Sequence, residues 1–437
     1  MEPVTDPAAD AQNERRPSPH SRAGAPVALG VNYTPRRGWF HSWLDLDLGE
    51  ISEDLAQIAE LGLDHVRLFP LWPILQPHRS LIRTSAIDDV AKVVDIAAEH
   101  GLNATVDVLQ GHLSSFDFLP SWVSTWHRRN IFTDPDVVGS QQELARALGS
   151  GLAGRENLVG LTLGNEIGQF ARPDHPDCEP LTPEQAIAWN AGMLGALEEV
   201  MPAGLHHHCF DDALWFTDAH PFTPKAAVEQ GHATTIHSWV FTGPAQRLGA
   251  GHPGLAHFGR YLIEVADYWH HRLAVPADRT MWLQEIGAPA PSITAEQAPE
   301  FATTSIRSAI GNDNVNAVTW WCSHDVSRSL VDYPELEYSL GLFDSDGNLK
   351  PVGEAIGALA REQRENGRIA PLGAPEGQDG DGSRVAGAQE DPIIIPALAE
   401  DGSDRSLLAP AGEVYAQWTE EALAGRVRPL RAEGTTA

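Results

Sequence analysis

The chain has 437 residues, 42% hydrophobic and 21% charged, and its 30 Lys and Arg against 60 Asp and Glu leave a net charge of −30. That apolar fraction excludes a wholly disordered chain, and no apolar run approaches the ~20 residues a membrane-spanning helix needs. A field of this sign repels a phosphate backbone, and no basic cluster exceeds Arg128-Arg129, so nucleic acid is not expected as a partner.

Residues 1–26, rich in Pro, Ala, Asp and Arg, read as a flexible arm. They lack the apolar core of a secretion signal, and Arg15-Arg16 resembles a twin-arginine signal only superficially, so cytoplasmic residence is the expectation. Cys178, Cys209 and Cys322 are too few and too widely spaced for a disulfide framework or a CxxC metal site. From Val27 onward short apolar runs alternate with amphipathic stretches, the pattern of repeated βα units. The strands predicted are Val27–Tyr33, His65–Leu71, Asn103–Leu109, Leu158–Leu163, Leu205–Phe210, Ala233–Val240, Met281–Ile286 and Val315–Trp321. Among the helices between them, apolar spacing predicts Ile51–Leu61, Ile87–His100 and Pro183–Met201, the last with Thr182 as cap and Pro183 at its first position.

Eight such units fit a (β/α)8 TIM barrel over residues 27–364. A doubly wound open sheet would normally stop at five or six parallel strands. The GxGxxG match at Gly149, Gly151 and Gly154 follows a helix and precedes a strand, the reverse of the dinucleotide-binding order. Residues 365–392, rich in Gly, Pro, Asp and Glu, read as a linker, and 393–437 hold enough apolar residues to dock back on the barrel.

Function in such a barrel concentrates at the carboxyl-terminal ends of the strands. The fourth strand ends in Asn165-Glu166, and the seventh carries Glu285. A carboxyl at the rim of an apolar strand is partly shielded from water, which raises its pKa and suits it to proton donation. Strands four and seven face one another across the mouth. Two carboxyl groups there can reach the ~5 Å separation of a retaining glycosidase, one attacking the anomeric carbon and one protonating the leaving oxygen.

The GNE ending of strand four and the WLQEIG of strand seven resemble the acid/base and nucleophile motifs of the clan A glycoside hydrolases. Arg67 in DHVRLFPLW, His112 in VDVLQGHLSSF, His237 in TTIHSWVF and Trp320-Trp321 extend the resemblance to glycoside hydrolase family 5, over roughly residues 27–361. The stretches GVNYTPRRGWFHSWLD and DVLQGHLSSFDFLPSWVSTWHRRNIFTDP resemble subfamily 18, whose members include β-mannosidases acting on the Man-β-1,4-GlcNAc linkage. The resemblance implies Glu166 as general acid/base, Glu285 as nucleophile and Asn165 on the sugar 2-hydroxyl. It implies Arg67 as partner of the nucleophile, His112 and His237 on sugar hydroxyls, and Trp321 as the platform of the −1 subsite.

Two departures stand out. The family shows His-x-Tyr on strand six where this chain has His237-Ser238-Trp239, so the Trp239 indole N–H is a candidate to replace the tyrosine hydroxyl. His112 falls later after Asp107 than the common Asp-x-His pattern. Among the 13 tryptophans, Trp39, Trp43 and Trp72 lie nearest the expected mouth and are candidates to stack on sugar rings. His206, His207 and His208 invite a metal reading, but strand alternation lets only His206 and His208 share a ligand. No metal site and no cofactor is expected, since two carboxylates suffice. The expectation is a retaining exo-β-mannosidase whose partner is an oligosaccharide. An endo-β-mannanase or glucanase and an inactive carbohydrate-binding barrel are the alternatives.

Overall fold

A computed structural model describes residues 18–19, 25–126, 129–373 and 391–434 of the chain. Most of the 1–26 arm and of the 365–392 linker lies outside the described residues. Seven regular strands pair in parallel, in the order fourth, third, second, first, eighth, seventh, sixth. Their spans are Leu158–Thr162, Asn103–Asp107, His65–Leu68, Ala28–Asn32, Val315–Trp320, Met281–Ile286 and Thr234–Ser238. Each begins within a residue of its expected start, and several end earlier, where the chain turns into the loops of the mouth.

The expected fifth strand is present only as an irregular segment. Residues 205–210 close the ring between the fourth and sixth strands: Leu205 N donates to Val159 O, His207 N to Leu161 O and Leu163 N to His207 O, each at 3.0 Å. On the far side His232 N donates to His206 O at 3.0 Å, and the Thr235 hydroxyl donates to His208 O at 3.1 Å. Side chains intrude on this ladder, since Leu161 N also points to His206 Nδ1 at 3.2 Å. These substitutions break the regular repeat while keeping the backbone groups satisfied, as buried groups require. Gly160 is needed at this seam, because a Cβ there would lie 1.9 Å from Leu205 O. The architecture is the (β/α)8 barrel.

The surrounding helices follow their caps more closely than their apolar periodicity. Asp47 accepts from Gly49 N and Glu50 N and starts Leu48–Glu60, three residues before the predicted start, because the first turn carries little apolar signal. Thr84–Glu99 also starts three residues earlier, though no side chain caps it. Pro183–Val200 carries the expected cap, with Thr182 and Gln185 forming a reciprocal capping box. Gly149 and Gly151 of the GxGxxG match lie in helix Pro135–Leu152, facing Val200 and Ile87, which makes them helix-packing glycines.

Helix Phe258–Arg272 is buried almost all round. Residues 391–434 cover its outer side with helix Glu413–Leu423 and the paired strands Ile393–Ile395 and Leu430–Ala432. Tyr261 donates to Leu408 O at 2.7 Å, Tyr268 to Pro396 O at 3.2 Å, and Arg431 pairs with Asp267 at 2.9 Å. Tyr415 and Trp418 add their rings to the same core.

Candidate active site

The carboxyl-terminal strand ends converge on a cavity of about 420 Å³ whose lining includes His112, Asn165, Glu166, Trp239, Glu285 and Trp321. That is toward the small end of ligand sites. Glu166 reaches it through a tight turn. Gly164 at φ 152° passes so close to the third strand's loop that a Cβ would lie 2.2 Å from Leu109 O. Glu166 itself sits in the left-handed region at φ 43°, and its carbonyl accepts from Gln169 N at 2.8 Å. A non-glycine residue held there stores strain of a kind that clusters at functional sites.

Glu285, on the seventh strand, stands in register with His237 of the sixth. Arg67 Nη1 donates to its Oε1 at 2.9 Å and the Trp239 indole N–H to its Oε2 at 3.2 Å. One ligand atom from each of Glu166, His237 and Glu285 lies within 4.8 Å of the others, so the two carboxylates approach that closely across the mouth. Arg67 is fully buried and orders the floor. It grips Asp107 through Nε and Nη2 at 3.0 and 2.8 Å, and meets Asn165 Oδ1 at 2.9 Å and Cys209 Sγ at 3.0 Å. A guanidinium fork satisfied on several sides fixes both the Glu285 carboxylate and the Asn165 amide.

His237 lies between the carboxylates, its Nδ1 2.7 Å from Glu166 Oε1 and 3.3 Å from Glu285 Oε2. Burial disfavours charge on this ring, but Cys209, Glu285 and Glu166 outweigh it and raise its pKa well above the usual value. Here the electrostatics correct the expectation for Glu166. Burial pushes its pKa up, yet the bond from His237, with His112 and Gln169 nearby, holds it well below the usual range. Burial, reinforced by the charge of Glu166, instead raises Glu285 against the pull of His237 and Arg67.

His112 lies on the short strand His112–Leu113, its Nδ1 2.9 Å from Asp117 Oδ1, and it too lines the cavity. Trp321 lines it beside Trp239, the ring centroids 6.3 Å apart. Trp39, Trp43 and Trp72 are absent from the lining. Trp39 is buried in an aromatic layer behind Trp321, formed with Phe40, Phe69 and Tyr333. Trp72 is fully buried, its N–H on Gln76 at 3.0 Å, and Trp43 packs on the main core. Both His206 and His208 spend their rings on structure, facing Leu161 N and Met201 O, and Thr235 and Ala227 O, respectively.

Among the described residues, Glu166, His237 and Glu285 are the group close enough to hold a metal. Arg67 and a protonated His237 already bring positive charge to these carboxylates, so the donor set does not fit a cation. Sequence reasoning missed Gln169, Arg172, Asp174, His175 and Glu337, all in the lining. Only Gln169 carried a signal, since the turn after Glu166 brings residue i+3 back to its carboxylate.

A close carboxylate pair at the carboxyl-terminal rim of a (β/α)8 barrel is the constellation of a glycoside hydrolase. Solved structures agree. A GH5_18 protein from Streptomyces cattleya in complex with GlcNAc is 46% identical, with 94% of each chain covered and a TM-score of 0.85. A variant of the Streptomyces cattleya protein was solved with Manβ1-4GlcNAc and is 45% identical, again with 94% of each chain covered and a TM-score of 0.85. A GH5_18 protein from Bifidobacterium longum subsp. infantis is 41% identical over 94% of this chain and 93% of that one, with a TM-score of 0.85. The chain belongs to glycoside hydrolase family 5, subfamily 18. No protein-family model and no curated protein matches it.

Proposed function

We propose that the protein is a retaining exo-β-mannosidase that cleaves Man-β-1,4-GlcNAc, with Glu285 as nucleophile and Glu166 as general acid/base. The observation that carries this reading is the approach of the two carboxylates, with ligand atoms within 4.8 Å, in a chain of this subfamily. Retaining enzymes hold their carboxyl groups ~5–5.5 Å apart, whereas inverting enzymes need 6.5 Å or more to admit a water.

In the first step a Glu285 oxygen attacks the anomeric carbon, the glycosidic C–O bond breaks, and Glu166 delivers a proton to the departing oxygen. In the second, Glu166 takes a proton from water, which attacks the anomeric carbon and frees Glu285. Arg67 and the Trp239 N–H aim Glu285 and favour its ionised form against the burial that raises its pKa. The proton for the leaving group is held in the Glu166–His237 hydrogen bond, so the pair titrates as a unit. Asn165, steadied by Arg67, is the donor for the sugar 2-hydroxyl, and Trp321 is the platform under the ring.

The small cavity, walled by the loops after the third, fourth, sixth and eighth strands, supports removal of a terminal sugar over attack within a polymer. Free Cys178, Cys209 and Cys322 support a reducing, cytoplasmic setting. The net charge of −30 speaks against nucleic acid, and among the described residues no helix is long and apolar enough to cross a membrane. Incubation with Man-β-1,4-GlcNAc, an aryl β-mannoside and polymeric mannan tests the reading. The first two are cleaved, and cleavage of the polymer alone makes the enzyme an endo-mannanase.

A further inference from the structure

The loop after the eighth strand folds back over the mouth. Cys322 N donates to Leu340 O at 3.2 Å, Leu342 N to Cys322 O at 3.0 Å, and Lys350 braces it on Asp325 and on Ser339 O. Within it the turn Glu335–Ser339 sends Glu335 outward, onto Arg328 at the surface, and Glu337 inward. Glu337 is only 8% exposed, yet it lines the catalytic cavity. Its Oε2 has no hydrogen-bond partner among the described residues. Ser114 Oγ and Trp321 Nε1, in the same lining, are buried and unpartnered too.

Ser114 and Trp321 lie close enough to act on the Glu337 carboxyl, yet none of the three atoms completes a well-formed hydrogen bond. An unsatisfied buried polar atom costs about 1–3 kcal/mol, so a loosely paired set in one wall of a binding cavity is one that a ligand can complete. One carboxylate acceptor beside a hydroxyl and an indole donor matches a sugar hydroxyl, which both donates and accepts. Trp321 follows the eighth strand, which pairs with the strand that carries Glu285, and its ring lies beside Trp239, whose N–H donates to Glu285. Burial raises the Glu337 pKa to about 7 against the pull of the Ser114 hydroxyl and the Trp321 N–H close beside it, and the charges of Glu285 and Glu166 add to the rise.

Resting on the mannosidase reading, we propose that Glu337 is a specificity-determining residue: with Ser114 and the Trp321 N–H it binds a free hydroxyl of the terminal sugar, remote from the anomeric carbon. A sugar substituted at that hydroxyl brings bulk against a buried carboxyl, so the cavity admits only a chain end. The loop thus sets exo action by a polar contact as well as by its bulk.

The test is a cycle of kcat/KM values for the full chain and its Glu337→Ala variant, on an aryl β-mannoside and its 3-, 4- and 6-deoxy analogues. For the native chain, one analogue loses about 10- to 100-fold, the range of a hydrogen bond to a charged group. In Glu337→Ala that one penalty disappears while the others stay. Equal losses on all four substrates, or penalties left unchanged, overturn the proposal. If Glu337→Ala does not fold, Glu337→Gln, which keeps the shape, is read in the same way and shrinks the same single penalty. Should the native chain cleave β-glucosides and not β-mannosides, the mannosidase reading fails by itself, and the cycle run on deoxyglucosides still decides the role of Glu337.

Discussion

Replacing Trp239 by Phe removes one atom group of consequence, the indole N–H that donates to Glu285 Oε2, while an aromatic ring still faces Trp321. A hydrogen bond to a charged acceptor contributes ~1.5–3 kcal/mol, and at 3.2 Å this one lies at the long end of N–H···O geometry, so the lower figure applies. The bond favours the ionised carboxylate, and its loss raises the Glu285 pKa by about one unit, since 1.36 kcal/mol corresponds to one unit. Burial and the charge of Glu166 already raise Glu285, so the acid limb of the kcat/KM profile starts above the ordinary glutamate range. The assay is hydrolysis of an aryl β-mannoside against pH. Trp239→Phe moves the acid limb up by about one pH unit and lowers kcat/KM about tenfold below it. A tenfold loss at every pH with the limb unmoved refutes the electrostatic role and leaves Trp239 as a packing residue.

Glu285→Ala abolishes turnover, and azide restores part of it as the α-mannosyl azide; a β-azide from this variant exchanges the roles given to the two glutamates. Glu166→Ala spares aryl mannosides with good leaving groups far more than Man-β-1,4-GlcNAc, as leaving-group dependence of kcat/KM shows. Arg67→Met strips the partner from buried Asp107 and Glu285, and costs ~3–5 kcal/mol of stability by denaturant unfolding. Glu337 binds its proton more tightly in the folded state, so its contribution to stability is present at low pH and is lost as pH rises through about 7. Glu337→Gln removes that part of the decline, so its Tm exceeds that of the native chain more at pH 8 than at pH 4, and parallel Tm curves contradict the assignment.

The barrel was legible because buried parallel strands read as apolar runs, and Glu166 and Glu285 because each interrupts such a run with a carboxyl. The fifth strand was half legible: its apolar and histidine residues are buried as a strand's would be, but ring nitrogens and hydroxyls taking over ladder bonds leave no trace in periodicity. Trp39 and Trp72 look the same in sequence whether they stack on a sugar or on Phe40 and Trp122; only the packing separates the cases. The low pKa direction of Glu166 was hidden for a similar reason, since it depends on His237, distant in sequence and brought to 2.7 Å by barrel closure. Glu337 reads as one more surface acid in PELEYS until the loop folds back and turns it inward.

The most direct test of the account is proton NMR of Man-β-1,4-GlcNAc during hydrolysis by the native enzyme, with the anomeric region followed from the first minutes. Retention gives free GlcNAc and β-mannopyranose as the first anomer, the α form growing only by mutarotation. α-Mannose appearing first, or no cleavage of this disaccharide, contradicts it.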